Sequence, residues 1–265
     1  MERSAGILLP IFSLPGRYGI GSLGKEARAF ADFLHEAGQK WWQVLPVGFV
    51  GAGNSPYASP STFAGNPLFI DLETLAEQGL LTKAELRSAE LPCTDKVDYA
   101  ALAQSREPLL RKAFGRVSGE MAQAVRTFAD KNPWVREFAL YRAARSRFGT
   151  PWYQWTDESL RRHEPEALER WRVELAENVA FHTCVQYWFF TQWAALKQYV
   201  NGLGIKIIGD IPIYVSLDSA DVWAEREQFL LDQEGKPSEV AGVPPDYFSA
   251  EGQLWGNPLY NWEYM

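Results

Sequence analysis

Apolar positions along this chain follow two rhythms. Short apolar runs bounded by glycine or proline at 5–9, 41–45 and 204–208 have the length and composition of buried strands. Between the first two, Ala27, Phe30, Ala31, Phe33 and Leu34 recur at helical spacing and predict a helix over 25–37 with these residues on its apolar face. From 68 to about 201 the rhythm is helical throughout. Segments 71–78, 82–91, 106–116, 118–131, 134–148 and 165–200 read as helices, the second opened by a Thr82–Glu85 capping box. On the last of these, Trp171, Leu175, Val179, Tyr187, Trp188, Phe190 and Trp193 read as core packing rather than ligand contacts. A short helix is expected over 219–229 and a turn over 232–237. The order strand, helix, strand predicts a parallel sheet of the α/β class, with an all-helical stretch between the second and third strands. Ligand loops then belong at the carboxyl ends of the strands.

Two stretches escape both rhythms. Residues 242–262 carry Gly242, Gly252, Gly256, Pro244, Pro245 and Pro258, which stop a helix or strand from running through, together with Tyr247, Phe248, Trp255, Tyr260 and Trp262. Rings beside Asp246, Gln253 and Asn257 suit a ligand with apolar faces and a hydroxylated rim, such as a sugar. A loop that wraps the domain and buries its aromatics is equally compatible with the composition. Residues 51–67 form a second candidate loop of turn formers and hydroxyls around Tyr57 and Phe63, its alternative being an ordinary surface connection. Asp210 falls where the strand over 204–208 meets its loop, the position of a site carboxylate or of an acid that caps a turn.

Composition narrows the chemistry. A core is well supplied, with 46% hydrophobic and 14% aromatic residues in 265. The 26 basic against 33 acidic residues give a net charge of −7, which argues against a nucleic-acid partner. Two cysteines, Cys93 and Cys184, and three dispersed histidines, His35, His163 and His182, signal neither a disulfide framework nor a metal site, and fit a reducing compartment. No apolar run has the length of a membrane span, so a soluble cytoplasmic protein is expected. Eleven tryptophans exceed what the core needs and lean towards a ligand with ring-shaped faces. Gly19, Gly21 and Gly24 form a G-x-G-x-x-G string, but nine residues separate it from Leu9 and the next strand ends in Pro46-Val47-Gly48 with no acid. A dinucleotide site fails on both counts.

Six separated strings carry a resemblance: Gly6-Ile7-Leu8-Leu9-Pro10, Tyr18-Gly19-Ile20-Gly21-Ser22-Leu23-Gly24, Trp41-Trp42-Gln43-Val44-Leu45-Pro46, Ser55-Pro56-Tyr57-Ala58-Ser59-Pro60-Ser61, Gly209-Asp210-Ile211-Pro212-Ile213-Tyr214-Val215, and most of 242–262. In this order they resemble the 4-α-glucanotransferases called amylomaltase or disproportionating enzyme. The resemblance implies the first part of a (β/α)8 barrel with a helical insertion. Residues 1–67 would hold two barrel units and a site loop, 68–201 the insertion, and 202–265 the third strand, its helix and the aromatic loop.

It also implies retaining transfer of α-1,4-glucan segments between maltooligosaccharides, with no cofactor and no metal. Matched position by position, Ser55 and Tyr57 border the reacting sugar, Asp210 organises its subsite without being the nucleophile, and Tyr247, Phe248, Gln253 and Trp255 line the acceptor side. Asp246 and Asn257 share the motif without an assigned role. The family's nucleophilic aspartate stands in an Arg-x-Asp-His string, which does not occur here, and its acid/base glutamate follows later. The expectation is therefore an N-terminal half without catalytic residues, inactive alone, or a non-catalytic α-glucan-binding protein derived from that family. Oligomeric state, donor length and cyclic-glucan formation are not legible.

Overall fold

The computed structural model describes residues 3–92 and 94–265, so Cys93 lies outside the described residues. The elements in chain order are β1 (Gly6–Leu8), α1 (Lys25–Glu36), β2 (Trp41–Gln43), α2 (Leu72–Glu77), α3 (Lys83–Ser88), α4 (Tyr99–Phe114), α5 (Gly119–Lys131), α6 (Trp134–Phe148), α7 (Glu158–Arg161), α8 (Pro165–Glu174), α9 (Ala176–Gly202), β3 (Lys206–Ile208), α10 (Ala220–Ala224), β4 (Val240–Val243) and β5 (Gln253–Pro258). The fold is α/β, and α2 to α9 lie between β2 and β3. No helix among the described residues is long and apolar enough to cross a membrane.

The chain divides into two units. The first comprises 1–47, 65–131 and 183–211, and is built on a parallel sheet of order β1-β2-β3, with Ile7 opposite Trp42 and Trp42 opposite Ile207. Trp42 is fully buried at the sheet centre, where its indole N–H donates to the Leu9 carbonyl at 2.8 Å and Phe30 meets it edge-on at 5.1 Å. Ala27, Ala31 and Leu34 form the buried stripe of α1, whereas Phe33 is 57% exposed. Phe33 was expected on the apolar face, but six residues on from Ala27 it has rotated off that stripe. The strands also differ from expectation. β1 and β3 are outer strands, paired on one side only, and Ile7, Leu8 and Ile208 remain exposed rather than buried.

Two glutamines on α9 fix the segment that follows β2. The buried Gln186 amide accepts from the Gly65 N–H at 2.8 Å and donates to its carbonyl at 3.1 Å. Gln192 repeats the arrangement with Asp71, at 2.7 and 3.1 Å. Each side chain thus supplies a backbone-like partner to a peptide that no strand or helix satisfies. Gly65 is required at its position because a Cβ would sit 2.0 Å from the Phe189 ring.

The second unit comprises 48–64, 132–182 and 212–265. Its core is aromatic, with Tyr141, Trp152, Trp155 and Trp223 all buried. Their indoles are not left unsatisfied: Trp152 donates to the Leu217 carbonyl at 2.6 Å, Trp155 to Thr150 at 3.1 Å and Trp223 to Leu160 at 2.9 Å. Asp218 gathers three donors, Tyr141 Oη at 2.8 Å, Arg145 Nε at 2.9 Å and Trp152 N at 3.1 Å. The tryptophans that composition left over for a ligand are largely consumed here and at the sheet. Trp42, Trp152, Trp155, Trp171, Trp188 and Trp223 are buried, and only Trp255 and Trp262 stand exposed.

The helical pattern holds with local differences. α4 starts at Tyr99, capped by Asp98, and runs through Pro108, a residue that favours a helix's first turn. The segment 165–200 is two helices broken at Leu175, with no glycine or proline to mark the break. The capping box of Thr82 and Glu85 forms as expected, and Glu85 also receives Arg116 at 2.7 and 2.8 Å.

Replacing Gln186 or Gln192 by leucine strands a buried N–H and carbonyl, so each change is expected to cost about 3 kcal/mol in urea unfolding; a loss below about 1 kcal/mol would show that the clamps are dispensable. Arg116 first, then Thr82, hold the Glu85 carboxyl at about 2 instead of 4.5. Because folding lowers this value, the contribution is complete above about pH 4.5 and disappears as pH falls towards 2. Glu85→Gln should flatten that part of the acid-unfolding profile and leave the profile above pH 5 with unchanged slope.

Candidate functional site

The stretch 242–262 is not an irregular loop. β4 and β5 pair antiparallel, Val243 opposite Gln253 and Gly242 opposite Leu254, with an irregularity between Val240 and Gly242. Glycine permits what proline and glycine content was expected to forbid. A Cβ on Gly242 would lie 2.5 Å from the Gln253 carbonyl oxygen, and Gly252 and Gly256 adopt φ of +74° and +77°. Pro258 ends β5 opposite Val240, where a missing N–H is tolerated.

The hairpin's tip is shaped by Asp246. Its carboxylate accepts from the Phe248 N–H at 2.9 Å and the Ser249 N–H at 2.8 Å, while Ser249 Oγ donates to the Gly252 carbonyl at 2.6 Å. The turn leaves Tyr247 97% and Phe248 88% exposed, their rings edge to face at 5.6 Å. Along β5, Gln253 and Trp255 share a face, as residues two apart in a strand must, and the indole N–H donates to the Gln253 side-chain oxygen at 3.0 Å. Trp255 continues into further rings: Tyr214 at 6.2 Å, and Tyr260 stacked on Tyr214 at 6.0 Å.

Asn257 and Tyr260 acquire the roles that the motif left open. Asn257 Nδ2 donates to the Val215 carbonyl at 2.7 Å and Tyr260 Oη to that of Ile213 at 3.0 Å. Both hold the hairpin against 213–215. Tyr214 and Tyr260 were not singled out from sequence as site residues; their only signal was membership of the matched strings.

In the loop after β2, Ser55 acts through its hydroxyl and carbonyl. Ser55 Oγ accepts from the Tyr57 N–H at 3.2 Å, and its carbonyl accepts from Gly51 at 3.0 Å and Ala58 at 3.4 Å. This turn presents Tyr57, 46% exposed. Beyond it, the buried Ser59 and Ser61 knit the loop internally, and Thr62 donates to Asp221 through both its N–H and its hydroxyl.

Of the seven sequence-predicted residues, Ser55, Tyr57, Tyr247, Phe248, Gln253 and Trp255 belong to the second unit. Asp210 belongs to the first, two residues past β3 and partly exposed. Gln253 and Trp255 touch, as do Ser55 and Tyr57 and the Tyr247–Phe248 rings. Neither of two cavities in the second unit, of about 640 and 710 Å3, is lined by any of the six. The hairpin is an open, ring-bearing surface with amide and hydroxyl groups beside it. Such a surface suits a ligand with a flat apolar face, and the Asp246 carboxylate is committed to its turn. The Cys184 thiol offers no nucleophile, because burial pushes it up to about 12.

A family model described as 4-alpha-glucanotransferase matches residues 9–265. The 4-alpha-glucanotransferase of Thermus thermophilus is 48% identical over 271 residues, covering 100% of this chain and 53% of its own length. That of Aquifex aeolicus is 47% identical over 264 residues, covering 98% and 53%. Among solved structures, an amylomaltase from Streptococcus agalactiae in complex with acarbose superposes with a TM-score of 0.96 at 43% identity, over 99% of this chain and 54% of that one. The chain spans about half the length of the curated relatives it matches. With nearly all of its length matched by the family model, this chain belongs to the 4-alpha-glucanotransferase family.

Proposed function

We propose that the whole protein transfers α-1,4-glucan segments between maltooligosaccharides with retention, and that these 265 residues supply one wall of its substrate cleft. The observation that carries this reading is the hairpin. In a chain that buries most of its indoles, turn bonds hold Tyr247 and Phe248 out in solvent, and Trp255 stands exposed on β5 with its indole N–H on the Gln253 amide oxygen. Exposed, positioned rings next to amide and hydroxyl groups suit the alternating faces and rims of a glucan. Tyr57 and Ser55 would border the reacting sugar and Asp210 would organise its subsite. The acarbose bound to the Streptococcus agalactiae amylomaltase is consistent with an oligosaccharide ligand.

The parallel sheet fits the first three strands of a (β/α)8 barrel, with α2 to α9 inserted between its second and third strands. Parallel strands are ordinarily covered on both faces, and the exposed Ile7, Leu8 and Ile208 suit a sheet that further strands would continue. On this reading, 1–67 and 202–265 are barrel segments and 68–201 the insertion.

Retaining transfer needs a nucleophilic and an acid/base carboxyl roughly 5 to 5.5 Å apart. No Arg-x-Asp-His string occurs in the 265 residues, so these residues alone are read as binding glucan without transferring it.

The 265-residue chain is expected to give no maltose or longer products from maltotriose, while maltoheptaose binds and Trp255→Ala weakens that binding about tenfold. Product formation abolished by Asp210→Asn would contradict the division of labour, and binding indifferent to Trp255→Ala would remove the hairpin from the site.

A further inference from the structure

The larger cavity of the second unit has chemistry of its own. Its volume of about 710 Å3 lies within the roughly 300 to 1,000 Å3 of small-molecule sites. One wall is the ring pair Phe63 and Trp134, stacked at 5.9 Å with 21° between planes. Phe63 stays 59% exposed although Ser61 Oγ accepts from its N–H at 3.2 Å and fixes its place. A fixed ring that remains open to solvent is a platform awaiting a flat apolar face.

The polar lining sets the ligand's charge. Glu137, Glu169, Asp221 and Glu225 face Arg136 and Arg172, an excess of acid that opposes phosphates and carboxylates. Arg172 is already committed, donating to Glu137 and to Glu169 at 2.6 Å. His163 Nε2 lies 2.9 Å from Glu137 and holds that carboxylate from the other side. Glu137, Glu169 and Arg172 are thus fixed by one another and Asp221 by Thr62, while the remaining carboxylate lone pairs accept hydrogen bonds and Gln228 adds an amide. Acceptors beside a ring platform select a neutral, hydroxylated ring.

We propose that this cavity is a second saccharide site, in which a pyranose ring lies on Phe63 and its hydroxyls donate to Asp221 and Glu137. No residue of it is among the seven candidates. Tyr260 lines the cavity and stacks on Tyr214, which neighbours Trp255, so a continuous line of rings joins the two surfaces. The choice of an α-glucan as its ligand rests on the function proposed above.

The test is calorimetric titration of maltotriose into three forms of the chain: unsubstituted, Tyr57→Ala/Trp255→Ala, and that double variant with Phe63→Ala added. Circular dichroism verifies that each is folded. Two sites are expected in the first and one in the second, and Phe63→Ala should weaken that one about tenfold or more while Phe63→Trp restores it. Loss of all binding in the double variant would overturn the second site and leave the hairpin reading standing. Unaltered binding after Phe63→Ala would overturn it too, and no binding by the unsubstituted chain would overturn both. Should the double variant not fold, Phe63→Ala alone must reduce two sites to one; two sites retained overturns the proposal.

Discussion

The position of the ring-bearing hairpin depends on two side chains at its far end, Asn257 and Tyr260. A two-stranded ribbon with a bulged register and three glycines has little stability of its own. The Asn257 amide on the Val215 carbonyl and the Tyr260 hydroxyl on that of Ile213 tie it to a segment whose Val215 is buried in the core. Further along, the Leu230 N–H donates to the Leu259 carbonyl at 2.9 Å and Asn261 N–H to that of Gln228 at 2.8 Å. Anchored at its base, the hairpin can hold Tyr247, Phe248 and Trp255 in water without collapsing them onto the core.

The rest of the second unit makes that exposure meaningful. Trp152, Trp155 and Trp223 are buried with their N–H groups bonded, which removes the usual reason for an indole to remain at the surface. The serine-rich loop uses the same economy: the Ser55, Ser59 and Ser61 hydroxyls bond neighbouring backbone groups, and Tyr57 and Phe63 stand exposed. On the proposed function, Trp255, Tyr247, Phe248 and Tyr57 would meet the faces of the glucan, while Asp246, Asn257 and Ser55 act on backbone groups.

Much of this was legible in the sequence. The helix boundaries at Trp134 and Phe148, the capping box at Thr82 and the parallel strand order follow from periodicity and capping chemistry. The hairpin was hidden because its pairing depends on close backbone approach at Gly242 and positive φ at Gly252 and Gly256, and a local pattern reads such glycines as breaks. The burial of the tryptophans was hidden for another reason. The acceptors that Trp152 and Trp223 meet on burial, the Leu217 and Leu160 carbonyls, lie more than 60 residues away. Asp246 and Asn257 were visible as motif members; Asp246 caps its own turn, whereas Asn257 works on the Val215 carbonyl, which only the fold brings near.

The most direct measurement is the indole N–H spectrum of the chain labelled with nitrogen-15 tryptophan during titration with maltoheptaose. The Trp255 resonance should move with saturation while those of the buried Trp152, Trp155 and Trp223, already donating to backbone carbonyls, stay in place. A Trp255 resonance that stays fixed at saturating ligand, or shifts confined to the buried indoles, would contradict the assignment of the hairpin as a glucan-binding surface.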